Sequence, residues 1–153
     1  MAKEIVVEKS ILIDKPFNQV FDFLKTTKNQ EFFSVWNMKD PNKETTSEGI
    51  DGTEGFIYSW DSKNNSVGAG SQKIIKIVDG KLIEYELKFE RPMKNTGISK
   101  FLIESTKTNQ SKVVWCLNSA TKFPMSLFKR MFQKMLGKDI SKSLENLKGV
   151  LEN

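Results

Sequence analysis

The sequence of 153 residues contains no histidine and only one cysteine, Cys116. Without histidine, Ser-His-Asp and Cys-His nucleophilic systems are excluded, because both need an imidazole base. The usual zinc and non-haem iron sites are excluded as well, since carboxylates are the only good metal ligands left beside one thiol. We therefore expect no metal and no other cofactor, and any catalysis would rely on Asp, Glu, Lys, Tyr or Arg.

Long apolar runs are also missing from the sequence. None approaches the ~20 residues that a transmembrane helix needs, and the first residues lack the apolar core of a signal peptide. A single cysteine cannot form an internal disulfide. These features predict a reduced, cytoplasmic protein without stable membrane insertion. Cys116 is expected to be an inert, buried thiol, because no histidine is present to lower its pKa.

The chain does contain enough apolar material for one core. Apolar residues make up 38% of the sequence and include 11 Phe and 3 Trp, which excludes a disordered chain. A chain of this length is typical of one domain. We therefore predict a single domain over residues 1–153.

Much of the net charge of +5 falls on the predicted last helix. The favoured interpretation is the solvated face of an ordinary amphipathic helix. The alternative is a surface for an anionic membrane or a nucleic acid. Because no motif interleaves basic and aromatic residues, we predict no nucleic-acid partner. The chain is expected to be a monomer or a weak dimer.

Alternation of apolar and polar residues predicts the strands. Between Ile83 and Phe89 every second residue is apolar and charged residues fill the gaps, which is typical of a strand with one dry face. This strand ends at Arg91 and follows a two-residue Asp79-Gly80 hairpin signal. Further strands are predicted over residues 4–13, 56–60, 67–78, 97–106 and 111–121. The polar stretch 39–53 is predicted to be a long loop.

Two short helices are predicted after the first strand, and one long helix at the C-terminus. The first begins at Pro16 with Asp14 as N-cap or turn residue, and the second spans residues 27–35. The last begins near Met125 or Ser126 and carries an apolar stripe with helical spacing. It would be roughly 40 Å long at 1.5 Å per residue. That length would let it lie across the whole sheet.

The order of these elements resembles the START-like, or helix-grip, superfamily, and in particular its polyketide cyclase/dehydrase branch. The similar segments are 10–16 (SILIDKP) followed by 20–24 (VFDFL), 58–60 (YSW) followed by 67–70 (VGAG), and 144–148 (LENLK). The resemblance spans nearly the whole chain. It implies an α+β fold, with a curved antiparallel sheet of about six or seven strands wrapped around a long C-terminal helix.

The resemblance also implies an apolar cavity between sheet and helix. Members of the superfamily bind lipids, sterols, polyketides and other hydrophobic molecules, and some catalyse cyclisation or dehydration. We therefore expect binding of a small hydrophobic or amphipathic ligand. The alternatives are a cyclase- or dehydratase-like enzyme, and a protein-interaction module with a filled cavity.

Large apolar residues on one face of the strands and of the last helix are the candidates for ligand binding. A filled core is the simpler interpretation of any single one of them, but a flat core needs few aromatic residues and methionines suit adaptable binding surfaces. The candidates are Trp36, Met38, Phe56, Tyr58, Trp60, Tyr85, Leu87, Phe89, Phe101, Trp115, Phe128, Met131, Phe132 and Met135.

Candidates for catalysis are few. By elimination they are Tyr58, Tyr85 and Arg91, as proton-transferring or anion-orienting groups. Glu54 and Asp61 flank the aromatic strand and would lie near a cavity mouth. The two tyrosines could equally supply the hydrogen bonds that orient a bound ligand, although buried tyrosine hydroxyls commonly bond to backbone or water.

Overall fold

The computed structural model describes residues 3–121 and 125–153. Its elements in chain order are β1 (Lys3–Ile13), α1 (Phe17–Lys25), a first 3-10 helix (Thr27–Phe32), α2 (Val35–Met38), β2 (Glu44–Glu48), β3 (Ile57–Asp61), β4 (Ala69–Val78), β5 (Leu82–Arg91), β6 (Asn95–Lys107), β7 (Gln110–Thr121), a second 3-10 helix (Met125–Phe128) and α3 (Lys129–Glu152).

The described strands form one seven-stranded antiparallel sheet in the order β1-β7-β6-β5-β4-β3-β2. The predicted period of two is confirmed in β5, where Ile83, Tyr85 and Leu87 are buried and the glutamates between them lie on the other face. Buried residues from the sheet and from α1 and α3 join in one core. The face that carries this core is called the inner face below.

The prediction of a loop over residues 39–53 is wrong in part, because β2 lies within it. All five β2 residues are exposed, and the strand pairs with β3 at the edge of the sheet. A strand that is exposed to solvent on both faces shows no alternation of apolar and polar residues, so the sequence pattern does not reveal it. It is identified only by its backbone pairing in the structure.

The turns differ in detail from their predictions. Three residues, not two, connect Val78 to Leu82, and Gly80 supplies the positive φ. Gly68 and Gly70 mark a close backbone approach and a bulge. The register shifts beside Gly70, and a Cβ on Gly68, which also has positive φ, would collide with the carbonyl of Arg91.

The helices after β1 are also rearranged. Asp14 is not an N-cap: α1 follows Pro16 without a side-chain cap, and Asp14 Oδ1 accepts a hydrogen bond from Gln110 Nε2 at 3.1 Å. The helix predicted over 27–35 is divided into the first 3-10 helix and the single turn of α2. These segments cover part of the inner face.

Helix α3 has 24 residues, which makes it about 36 Å long. Its closest strand is β1, it also contacts the short helices, and its buried side chains join the core on the sheet. Gly137 lies close to β1, since a Cβ there would be 3.1 Å from Lys9 Cε and 3.6 Å from Val7 Cγ1. At the other end, Glu152 Oε2 accepts a hydrogen bond from the backbone N–H of Asp14 at 2.8 Å. The helix therefore borders the inner face along one edge.

Candidate functional site

One part of the inner face is filled by aromatic rings. Phe101 and Trp115 have ring centroids 4.6 Å apart, and the rings of Phe33 and Tyr85 pack edge-on against them. Phe33, Tyr85 and Phe101 are fully buried, and the first 3-10 helix contributes to their cover. This part, defined by Phe33, Tyr85, Phe101 and Trp115, is called the closed end.

The other part of the inner face is only half covered. Leu117 in β7 pairs with Val7 of β1 and with Ser99 of β6, so it has a neighbouring strand on each side. It is nevertheless only half-buried, which means that the layer above it is incomplete. The half-buried apolar residues of this region, called the open end, are Trp36, Trp60, Phe89, Leu117, Phe132 and Leu136.

Contacts with β1 place the first half of α3 beside the open end. Gln133 Oε1 accepts a hydrogen bond from the backbone N–H of Val6 at 3.2 Å, and Gly137 lies against Val7. Val7 is the partner of Leu117 in the sheet. Phe132 and Leu136 therefore come from the turns of α3 that lie level with Leu117, and they pack against the core from that side.

A polar network supports the opposite wall. Lys43 Nζ donates to Glu31 Oε1 at 2.5 Å, and only 4% of the lysine side chain is exposed. Tyr58 donates its hydroxyl to Glu31 Oε2 at 2.9 Å, and Asn37 donates to the same oxygen. The network joins the first 3-10 helix, α2 and β3, and so fixes the elements that carry Trp36 and Trp60.

Tyr58 keeps its proton in this setting. Burial, followed by the hydrogen bond to Glu31, raises the pKa of its hydroxyl well above the ordinary value of 10.0. A phenol that already donates to a carboxylate is not free to act as a general base. Its role in the geometry is to hold Glu31.

Tyr85 has a different environment at the closed end. Its hydroxyl is fully buried, and burial raises its pKa to about 12. Neither this hydroxyl nor Thr27 Oγ1 has a hydrogen-bond partner of good geometry within residues 3–121 and 125–153. Nearby, the amides of Gln30 and Gln72 bond to each other at 3.2 and 3.4 Å. Thr27 and Gln30 are close enough to lower the pKa of Tyr85 in part, but the described residues offer its hydroxyl no partner of good geometry.

The three residues predicted as catalytic occupy separate surroundings. Arg91 forms a partly exposed ion pair with Asp61 at the strand end and also donates to the carbonyl of Ser62. No hydrogen bond joins it to Tyr58 or Tyr85 among the described residues. Glu54 accepts a hydrogen bond from the backbone N–H of Ile77 at 2.9 Å. The catalytic role of the three residues stays a prediction.

The residues predicted to bind a ligand fall into three groups. Those that are buried are Phe56, Tyr58, Tyr85, Leu87, Phe101 and Trp115. Those that are half-buried at the open end are Trp36, Trp60, Phe89 and Phe132. Those that were expected to face inward but are about half exposed are Met38, Phe128, Met131 and Met135. The inward orientation expected of this group is not seen. For Phe128, Met131 and Met135 the reason is that they lie on the side of their helices that is turned away from the core.

Sequence reasoning missed several residues of this region. Leu117 and Leu136 were not candidates, although they lie in the strand predicted over residues 111–121 and in the predicted last helix. Glu31 and Lys43 carried no signal, because they lie twelve residues apart in polar segments and meet only through folding. Within the described ranges, no group of three or more Cys, Asp or Glu side chains is arranged to hold a metal ion.

The outer face of the sheet carries two shallow depressions. One is lined by residues that include Glu86, Ile98 and Asn118, and the other by residues that include Lys112 and Val114. Cys116 is buried on the same face. Burial, with the hydrogen bond from its thiol to Glu8, raises the pKa of Cys116 to about 11. The depressions lie on the face of the sheet opposite the aromatic residues.

Comparison with known proteins gives structural but not sequence matches. No protein-family model matches the chain, and no curated protein matches it in sequence. Norcoclaurine synthase from Thalictrum flavum, in complex with dopamine and hydroxybenzaldehyde, has a TM-score of 0.75 at 8% identity, covering 98% of this chain and 87% of that one. The Zhui aromatase/cyclase from Streptomyces sp. R1128 has a TM-score of 0.71 at 10% identity, covering 98% and 94%.

A third similar structure is the Aha1 dimer from Colwellia psychrerythraea, with a TM-score of 0.66 at 16% identity, covering 97% of this chain and 96% of that one. At such identities the likeness shows the fold alone. The protein has the START-like helix-grip fold, as the order of its elements predicted. Of the helices in the described part, none is both long and apolar enough to cross a membrane.

Proposed function

We propose that the protein binds a small hydrophobic or amphipathic molecule, such as a lipid or a polyketide, at the open end. The observation that carries the proposal is the partial burial of Leu117, an inward residue with a strand on each side. A ligand would complete the missing cover. Each Å² of apolar surface that it removes from water contributes about 25 cal/mol to binding.

The composition of the open end supports this proposal. Trp60 and Phe89 form an edge-on aromatic pair with ring centroids 6.1 Å apart, and Trp36 packs edge-on against Trp115. Apolar and aromatic walls with few polar groups are the general form of a small-molecule site. The complex of norcoclaurine synthase with dopamine and hydroxybenzaldehyde shows that this fold holds aromatic ligands in one of its similar structures.

The polar groups predicted to orient a ligand lie outside the open end. The Tyr85 hydroxyl is fully buried at the closed end, and the Tyr58 hydroxyl donates to Glu31. A ligand at the open end would therefore be held mainly by apolar contacts. The closed end would then act as a support, and binding would not require an enzymatic step. The cytoplasmic location stays a prediction.

Titration with an environment-sensitive hydrophobic fluorophore tests the proposal. We expect saturable binding near one probe per chain, with quenching of tryptophan emission because Trp36 and Trp60 are partly exposed at the open end. Fatty acids or aromatic polyketides are expected to compete. A folded sample that binds no probe would contradict the proposal.

Two variants locate the binding site. Phe89→Ser removes an aromatic wall of the open end, and we expect it to weaken binding about tenfold or more, in line with the loss of one buried aromatic contact. Ile98→Ser is the matched control, because Ile98 is equally half-buried but lies on the outer face. Equal losses in the two variants would place the probe elsewhere. Urea unfolding of both variants checks that they remain folded.

A further inference from the structure

The start of α3 exposes an apolar stripe that the core does not use. Phe128, Met131 and Met135 follow one another at helical spacing, and 50%, 49% and 54% of their surfaces are exposed. Leu127, one residue before them, is 68% exposed. Side chains three and four residues apart lie on one side of a helix. The four residues, called the α3 stripe, therefore form a continuous apolar surface in water.

The same segment concentrates the charge of the chain. Residues 122–138 hold five basic residues and no Asp or Glu. When these five are taken from the 24 basic residues of the whole sequence, 19 remain, which equals the number of acidic residues. The segment thus accounts for the entire net charge of +5. A charge gathered in one segment and balanced elsewhere indicates an anionic partner for that segment.

The basic side chains are free to meet such a partner. Arg130, Lys134 and Lys138 are exposed, and none of them forms an ion pair with a residue that the structure describes. On the helix these three residues lie next to the α3 stripe, because each comes three residues after a member of the stripe. Ion pairs of α3 are instead formed further along, by Lys142 and Lys148.

Two anionic partners are conceivable for such a surface, and the α3 stripe decides between them. A nucleic acid would need only the cations, since phosphate contacts supply most of its affinity. An exposed row of Leu, Phe and Met gains nothing from a phosphate backbone. At a lipid surface, by contrast, apolar side chains enter the boundary of headgroups and acyl chains while the neighbouring cations meet anionic headgroups.

We infer that the first half of α3, with the second 3-10 helix, docks the protein reversibly on anionic phospholipid bilayers. The α3 stripe enters the interface, and Arg130, Lys134 and Lys138 contact the headgroups. The contact is peripheral and involves no spanning segment. The inference stands on the surface of α3 and does not depend on a ligand at the open end. If both hold, the docked segment lies beside the open end, where Phe132 and Leu136 face the sheet.

Flotation of the full chain with lipid vesicles tests the inference. We expect binding to vesicles that contain phosphatidylserine with phosphatidylcholine, and little binding to vesicles of phosphatidylcholine alone. Raising the ionic strength from about 0.1 M to about 1 M shortens the Debye length from ~10 Å to ~3 Å and is expected to reduce binding strongly. Equal binding to both kinds of vesicle, or no binding to either, would overturn the inference.

Paired variants separate a defined docking surface from general attraction. The triple variant Arg130→Gln, Lys134→Gln and Lys138→Gln is expected to bind on the order of 100-fold more weakly, since each cation near an anionic surface contributes roughly fivefold. Its matched control, Lys28→Gln, Lys63→Gln and Lys94→Gln, removes three exposed cations elsewhere and is expected to bind almost as the parent protein does. Equal losses in the two would overturn the inference.

A second pair of variants tests the apolar contribution. Phe128→Ser with Met131→Ser is expected to weaken binding at least tenfold, whereas Ile50→Ser with Met93→Ser, which are exposed apolar residues away from α3, leaves it unchanged. All these positions are exposed, so folding is preserved and is checked by circular dichroism. Unchanged binding by the first pair, or tighter binding of the parent to duplex DNA or RNA than to vesicles, would contradict docking on lipid.

Discussion

The two ends of the inner face are built from the same sheet but differ in what covers them. At the closed end, Phe101 and Trp115 meet Phe33, the residue that follows the first 3-10 helix, and almost none of their ring surface is exposed. At the open end, Phe89 and Leu117 remain partly in water. One apolar sheet face can therefore be sealed at one end and left partly exposed at the other, according to the segments that pack on it.

The layer itself differs because the helices have different positions. The short helices lie over the closed end, and Val35 N–H donates to Ser143 Oγ at 3.0 Å, so α2 is tied to the second half of α3. The first half of α3 runs along β1 and covers only the margin of the open end. Stability is therefore expected to reside at the closed end, and binding at the open end.

The largest change in the free energy of unfolding is expected when one aromatic ring is removed, and removal at the closed end is compared with removal at the open end. Phe101→Ala removes a fully buried ring and is expected to lower the free energy of unfolding by about 3–5 kcal/mol. Phe89→Ala removes a ring that is already partly hydrated, and about 1–2 kcal/mol is expected. Urea unfolding measures both. Equal losses would mean that the two ends do not differ in packing.

The two tyrosines allow a second comparison, in which each loses only its hydroxyl oxygen. Tyr58→Phe deletes a hydrogen bond to the carboxylate of Glu31 and is expected to lower the free energy of unfolding by about 1–2 kcal/mol. Tyr85→Phe deletes a buried hydroxyl that lacks a partner of good geometry among the described residues. It is expected to be neutral or slightly stabilising. A clear loss of stability for Tyr85→Phe would show that this hydroxyl bonds to a buried water or a neighbour.

Alkaline titration addresses both tyrosines together. Tyr85 has a pKa of about 12 because it is buried, and the pKa of Tyr58 is raised by burial and by Glu31. The unfolded chain loses these protons near pH 10 while the folded chain keeps them. The folded state therefore binds more protons above about pH 10, and the free energy of unfolding falls as the pH rises further.

Ultraviolet absorbance of tyrosinate, followed beside circular dichroism, measures this effect. Because the chain has only two tyrosines, we expect their ionisation to coincide with unfolding. The Tyr58→Phe variant is expected to lose less stability above about pH 10 than the parent protein. Ionisation of both tyrosines near pH 10 in a folded sample would contradict the burial of these hydroxyls.

The smallest effect is expected at Cys116, the outer-face neighbour of Trp115. With a pKa of about 11, its thiol is expected to react slowly with a thiol reagent at about pH 8, because the thiolate is the reactive form. Glu8→Gln removes an acceptor that raises this pKa and is expected to speed labelling a few-fold, whereas Glu4→Gln serves as the control. Labelling of the native parent as fast as of the denatured chain would contradict an inert thiol.

Much of the fold was predictable because periodicity is a local property. The alternation in β5 and the helical stripe of Ile140, Leu144 and Leu147 each show which side of an element is apolar, and these sides are buried in the structure. Composition was equally informative, since the absence of histidine excluded whole classes of catalyst. The edge strand β2 was missed because a strand exposed on both faces has no such pattern.

Of the site, the sequence identified the apolar residues but not their state of burial. It determined that the inner face is aromatic, and that the segment before Asp139 is basic and apolar. Only the tertiary structure decided that Phe101 is sealed, that Phe89 is not, that Glu31 meets Lys43, and that Met131 and Met135 face water. The physical reason is that a residue's pattern fixes the side on which it lies, whereas its exposure depends on distant segments that pack against that side.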